Sequence, residues 1–145
     1  MLLLPFTSQL LLPTTRTVAA ITADLERLLR DSGAVPTRRG DGALAFTVLP
    51  LRHLFPSLTV ADGGYQITLV GASAQINFRG STPILPVLGP IALVMLIMGG
   101  MAIQAGAPAL NIATISAVAL LLVSFVVPAL GKLAMTRLAR RALSP

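Results

Sequence analysis

Cysteine and tryptophan are absent, histidine and tyrosine occur once each, and only five side chains are acidic in 145 residues. Without cysteine there is no disulfide, no thiolate nucleophile and no sulfur metal ligand, and His53 alone makes no multi-histidine metal site. Asp24, Glu26 and Asp31 fall on the outer side of one predicted helix, and Asp41 and Asp62 in predicted turns. No two carboxylates are therefore placed to face one another across a cleft, as acid–base chemistry requires. His53 stands beside Arg52, Leu54 and Phe55 between prolines, with no nucleophile spaced to meet it. Glycine loops of the phosphate-cradling kind are missing as well. The expectation is a protein that is not an enzyme and needs no cofactor and no metal.

The widest gap is in charge. No Asp, Glu, Lys or Arg occurs between Arg79 and Lys132, a run of 52 residues, and the mean hydropathy of the chain is +0.84. As helices, residues 84–104 and 109–131 are about 31 and 34 Å long, against a hydrocarbon core of about 30 Å. The turn at 105–108 holds Gly106 and Pro108 and is too short for anything but a reversal. This predicts a transmembrane hairpin over residues 81–131. Pro83, Pro86 and Pro90 crowd its entry, so the first helix is expected to begin within 83–90, toward Pro90, and Pro128 to bend the end of the second.

Basic residues flank the hairpin and are missing from its turn, which points to both termini in the cytoplasm. Ten Arg to one Lys, with abundant Ala, suggests a bacterial chain and hence the inner membrane. Met1 to Leu4 is apolar, but Pro5, Ser8 and Gln9 interrupt it, so an edge strand over 6–12 is expected there rather than a signal peptide.

The preceding residues, 1–80, read as a small cytoplasmic domain. Thr14 and Thr15 are candidate N-caps for a helix with Val18, Ile21, Leu25, Leu28 and Leu29 on one face, and Gly33 is placed to end it. After a loop at 38–42 the period becomes two, through Leu44, Phe46 and Val48, Leu58 and Val60, Tyr65, Ile67 and Leu69, and Ala74, Ile76 and Phe78. Asp62-Gly63-Gly64 and Gly71-Ala72 are candidate hairpin turns. The fold class is α+β: a β-α-β-β-β-β domain, an antiparallel meander with one helix, followed by a two-helix membrane hairpin and a basic juxtamembrane tail, 132–145.

Candidate surfaces follow. Thr47, Thr59, Gln66, Thr68, Ser73, Gln75 and Asn77 give one sheet face that is polar yet uncharged, either merely wetted or a docking face. Arg79, Lys132, Arg137, Arg140 and Arg141 are expected at the bilayer surface on anionic headgroups, each basic residue contributing about 1 kcal/mol. Ala113 and Ala117 make a small-xxx-small step for helix packing, on the hairpin itself or on another membrane protein. Arg39-Gly40-Asp41 spells an integrin-type tripeptide by chance, and Arg38-Arg39 is a solvated pair or a weak anion site. Basic residues without interleaved aromatics do not suggest nucleic acid. The expected partners are lipid and a membrane protein or a further copy. The leading expectation is an accessory or scaffold protein. Alternatives are a small-molecule or lipid sensor with its cavity near Phe46, Ile67 and Phe78, and an oligomeric holin-like pore.

Overall fold

The structure, a computed structural model, describes residues 2–51, 58–106 and 108–144. His53 and its neighbours Arg52, Leu54 and Phe55 lie outside them. The order is β1 (Leu3–Pro13), α1 (Val18–Asp31), β2 (Val35–Gly40), β3 (Ala43–Pro50), β4 (Thr59–Val70), β5 (Ser73–Pro83), α2 (Leu85–Gln104) and α3 (Ala109–Leu143). The strands form one antiparallel sheet in the order β1-β5-β4-β3-β2. The α+β class with a candidate membrane hairpin is present, and several boundaries differ for physical reasons.

Helix α1 is capped by Thr17, whose hydroxyl accepts from Ala20 N–H at 3.3 Å, while Thr14 instead accepts from Arg16 N–H. Its end is a Schellman turn: Gly33 has φ +85°, its N–H donates to Arg30, and Ala34 N–H donates to Leu29. Residues 38–42, expected as a loop, supply the end of β2 and a glycine turn into β3. Pro36 and the Arg38-Arg39 pair hid this strand, because they erase the apolar alternation of an edge that faces water.

Asp62-Gly63-Gly64 is no turn but the middle of β4, which also absorbs Val60. The glycines serve close approach. A Cβ on Gly63 would come 2.2 Å from the Phe46 ring, and one on Gly64 would come 3.2 Å from the Leu44 carbonyl. Val48, expected in the core, is exposed and has φ +51°. That left-handed residue shifts the inward positions of β3 from Leu44 and Phe46 to Leu49, and β4 follows from Tyr65 and Ile67 to Val60.

Helix α2 begins at Leu85, inside the expected 83–90 and at its near end rather than toward Pro90, with Pro86 in its first turn and Pro90 inside the helix. Helix α3 does not stop near Gly131. It runs on through Pro128 for 35 residues, and its last turns pack on the sheet. The tail expected to lie on lipid is thus a second helix of the domain, and the sheet carries two helices on one face.

The buried stripe of α3 is Val127, Gly131, Met135, Ala139 and Leu143, four residues apart throughout, with Ala142 beside it. Small residues let the helix sit close: a Cβ on Gly131 would lie 2.9 Å from the Phe6 ring and 3.0 Å from Thr82. The Tyr65 hydroxyl donates to the Met135 carbonyl at 3.0 Å, and Tyr65 stands between Phe46 and Phe78 with ring centroids 6.0 and 5.8 Å away. Burial pushes the phenol pKa well above its ordinary value. Ile21, Leu25 and Leu29 of α1 complete the core.

Candidate interaction surface

In an antiparallel sheet, paired residues share a face, so the register maps the uncovered side. One row across the sheet is Thr7, Arg79, Gly64, Ala45 and Thr37, and the next toward the β4–β5 turn is Gln9, Asn77, Gln66 and Ala43. On the other side lie Pro5, Ser81, Asp62, Thr47 and Val35. Gly64, Ala45 and Ala43 have almost no side chain, so the centre is low, and an open hollow of about 1200 Å³ forms over it.

Of the residues expected on this face, Thr47, Gln66 and Asn77 line the hollow. Thr68 and Gln75 pair one row beyond, where the Thr68 hydroxyl donates to the Gln75 carbonyl and the Gln75 amide to Asn77, both at 3.5 Å. Thr59 lies outside the hollow, paired with Pro50 beyond Val48 and between the buried Leu58 and Val60.

Sequence reasoning missed Thr7, Gln9, Thr37, Arg39, Asp62, Arg79 and Ser81 as members of the same surface. Thr7 and Gln9 were legible as the polar partners of Phe6 and Leu10 in the β1 alternation. Arg79 lies within β5 on the exposed face, across from Thr7 and Gly64, rather than at the start of the first apolar helix. Among the described residues, the ion pairs are Arg16–Asp24, Arg27–Asp31, Arg30–Glu26 and Arg38–Asp41, and neither Asp62 nor Arg79 takes part. The surface therefore offers amides and hydroxyls around a shallow floor, with Arg39, Arg79 and Asp62 as its charged groups.

A second concave region lies between α2 and α3. It is an apolar cleft of about 560 Å³ bordered by Pro90, Met95, Met98, Gly99, Ile112 and Ser116. The helices meet most closely where a Cβ on Gly99 would come 3.0 Å from Ile112. Ala113 and Ala117 are exposed and turn away from that seam. Most of the large apolar side chains on both helices are likewise exposed, including Leu96, Leu110 and Phe125 at 75% or more. Both helices are long and apolar enough to cross a membrane.

Arg16 ties the end of α3 to α1. Its guanidinium donates to the carbonyls of Ala142 at 2.7 Å and Ser144 at 3.4 Å, at the end of α3 where backbone acceptors have no helical partner, and it pairs with Asp24 of α1. Lys132, Arg137, Arg140 and Arg141 are exposed along the opposite side of the same helix end. Among the described residues, no group of three or more His, Asp or Glu side chains is placed to hold a metal ion. Comparison with protein-family models, with curated proteins and with solved structures gives no match.

Proposed function

We propose that the chain is a bacterial inner-membrane protein with both termini in the cytoplasm, and that it acts as a non-catalytic adaptor presenting the uncovered sheet face to a partner. One observation supports this reading above the others. One side of the sheet is sealed by α1 and α3, while the other is a hollow of hydrogen-bonding side chains.

The membrane reading rests on length and on exposed apolar surface. The 20 residues of α2 match the hydrocarbon thickness of about 30 Å. On α3 a similar stretch from Ala109 ends near Pro128, and Lys132 follows within roughly 6 Å, at headgroup level. Arg137 stands roughly 13 Å and Arg140 and Arg141 roughly 18 Å beyond that edge, and Arg79 roughly 20 Å along β5 from Leu85. Headgroup anchoring therefore falls to Lys132, and Arg79 is left for the sheet face. Exposed Leu2, Leu3 and Leu85, all at the membrane end of the sheet, add an apolar rim there.

Photo-crosslinking in native membranes tests the proposal. A crosslinker replacing Asn77 is expected to capture a defined protein, and one replacing Arg27 on α1 is expected to capture none. Equal capture at both positions, or none at Asn77, removes the docking role.

A further inference from the structure

Resting on that reading, we propose that the partner on the free sheet face is an acidic, convex segment of another protein, about as wide as a helix, held between Arg79 and Arg39. Charge is the first support. Of the five acidic side chains, Asp24, Glu26, Asp31 and Asp41 are each paired with an arginine elsewhere, and only Asp62 lines the hollow. Arg39 and Arg79 line it too, both are exposed, and among the described residues neither enters an ion pair. Two guanidiniums against one carboxylate leave the face short of anions. The occupant has to supply them, because arginines covered by a partner without a carboxylate to bond lose their water for nothing.

Shape is the second. Arg79 stands on β5, in the row of Gly64 and Ala45, and Arg39 on β2, at the irregularity that closes the row of Gln66 and Ala43. Strands β4 and β3 lie between them, so the two walls are three strand spacings, about 14 Å, apart. A helix with its side chains measures about 10 to 12 Å across and fits that gap. Gly64, Ala45 and Ala43 keep the floor low, so a rounded segment fills the space and a flat one does not. The other side of the same sheet already receives helices. Carboxylates on the two flanks of the segment meet Arg79 on one wall and Arg39 on the other through paired hydrogen bonds. Asp62, one row nearer the apolar helices than Arg79, repels a carboxylate there and so sets which way round the segment lies.

Other occupants fit less well. A second copy of the face brings another hollow and the same two arginines against one carboxylate. Lipid headgroups are out of reach, since Arg79 stands roughly 20 Å along β5 from Leu85. A nucleic-acid strand needs rings to stack on, and Phe6, Phe46, Tyr65 and Phe78 are buried on the other side of the sheet. A small molecule binds best where most of its surface is enclosed, whereas this hollow is open across the strands.

The experiment uses the full chain in lipid nanodiscs and a displayed library of short random peptides. Selection is expected to enrich Asp and Glu, and the enriched peptide, carrying a dye, should bind by fluorescence anisotropy with an affinity that falls as salt is raised. Arg79→Glu and Arg39→Glu should each weaken that binding about tenfold, and Asp62→Asn should strengthen it. Arg140→Glu, the same charge change on the exposed side of α3, should leave it unchanged. Unchanged thermal melting of each variant shows that folding is intact. Enriched peptides without an acidic bias, binding indifferent to both sheet arginines, or binding abolished by Arg140→Glu overturns the inference. So does a melting shift caused by citrate and lost in Arg79→Glu when no peptide is enriched, which makes the hollow a small-anion site. In native membranes, an Asn77 crosslink to a defined protein that persists undiminished when Arg39 and Arg79 are both replaced by Glu sinks the acidic occupant and leaves the docking role standing. The absence of any crosslink sinks both.

Discussion

Leu110, Ile115, Leu121 and Phe125 in the first half of α3 are all exposed, although that half carries no charge. In the second half four basic residues flank a stripe that water does not reach: Met135 and Ala139 are fully buried. A scale that averages hydropathy along the chain ranks the two halves in the wrong order for burial within the protein. What decides burial is whether apolar positions recur on one side of the helix and whether a sheet is there to receive them. The first half is apolar on nearly every side and lies against α2 along one seam, with no sheet to receive it. The second is two-sided, with small residues turned inward.

The sharpest way to break this contrast is to separate the halves. A fragment of residues 1–80 lacks Val127, Met135, Ala139 and Leu143 of its own core, and is expected to show no cooperative melting and a collapsed amide spectrum. Joining residues 127–144 to it through a flexible linker should restore dispersion. A well-dispersed 1–80 fragment would show that the α3 end is an accessory rather than part of the domain.

Single substitutions sharpen the comparison further. Met135→Ala should cost about 2 to 5 kcal/mol of domain stability, whereas Ile115→Ala, in the first half, should leave the domain melt unchanged. Gly131→Leu forces a side chain into the Phe6 ring and Thr82 and should cost about 1 to 3 kcal/mol. Ala113→Leu, on an exposed position of the same helix, should cost the domain nothing. Equal melting temperatures across either pair would erase the distinction between the halves.

The pH dependence comes from Tyr65. Its buried phenol stays protonated when the unfolded chain would ionise it, so its contribution is complete below about pH 10, the ordinary tyrosine value. It is then lost as the pH rises further. Denaturant unfolding at increasing alkaline pH should show this decline, and Tyr65→Phe should remove it at a neutral-pH cost of about 1 kcal/mol for the lost hydrogen bond to Met135. The most local effect is expected at Arg16. Arg16→Ala releases the Ala142 and Ser144 carbonyls at a partly exposed site and should cost about 1 kcal/mol, with hydrogen exchange rising first in the last turn of α3. No change in that turn would deny Arg16 its clamping role.

Much of this was legible. Helix α1, the β3–β4–β5 meander and the two apolar helices follow from periods of 3.6 and two and from uncharged length. Two misreadings have one origin: a glycine or alanine chosen for closeness looks like a weak signal. Gly63 and Gly64 read as a turn because flexibility is the commoner use of paired glycines, whereas here Phe46 needs the space above one of them. Gly131, Ala139 and Ala142 contribute little hydropathy, so the stripe of the α3 end was hidden behind Lys132 and its arginines. The sheet face was half visible. Thr47, Gln66 and Asn77 declared themselves, but Arg79 was drawn to the membrane by proximity in sequence. Only strand pairing could set it opposite Gly64 and Thr7.

The passage between domain and hairpin has mechanical consequences. Ile84 alone separates β5 from α2, it is buried and bonded to Leu2, and α3 returns through the same boundary without a break. Among the described residues, no loop interrupts the crossing, and Pro128 is the point in α3 where a helical hydrogen bond is missing. On the proposed membrane reading, such a protein would behave as a mast rather than a buoy on a line: tilt imposed on the hairpin by lipid would pass to the strands, and a docked partner would approach at a fixed height.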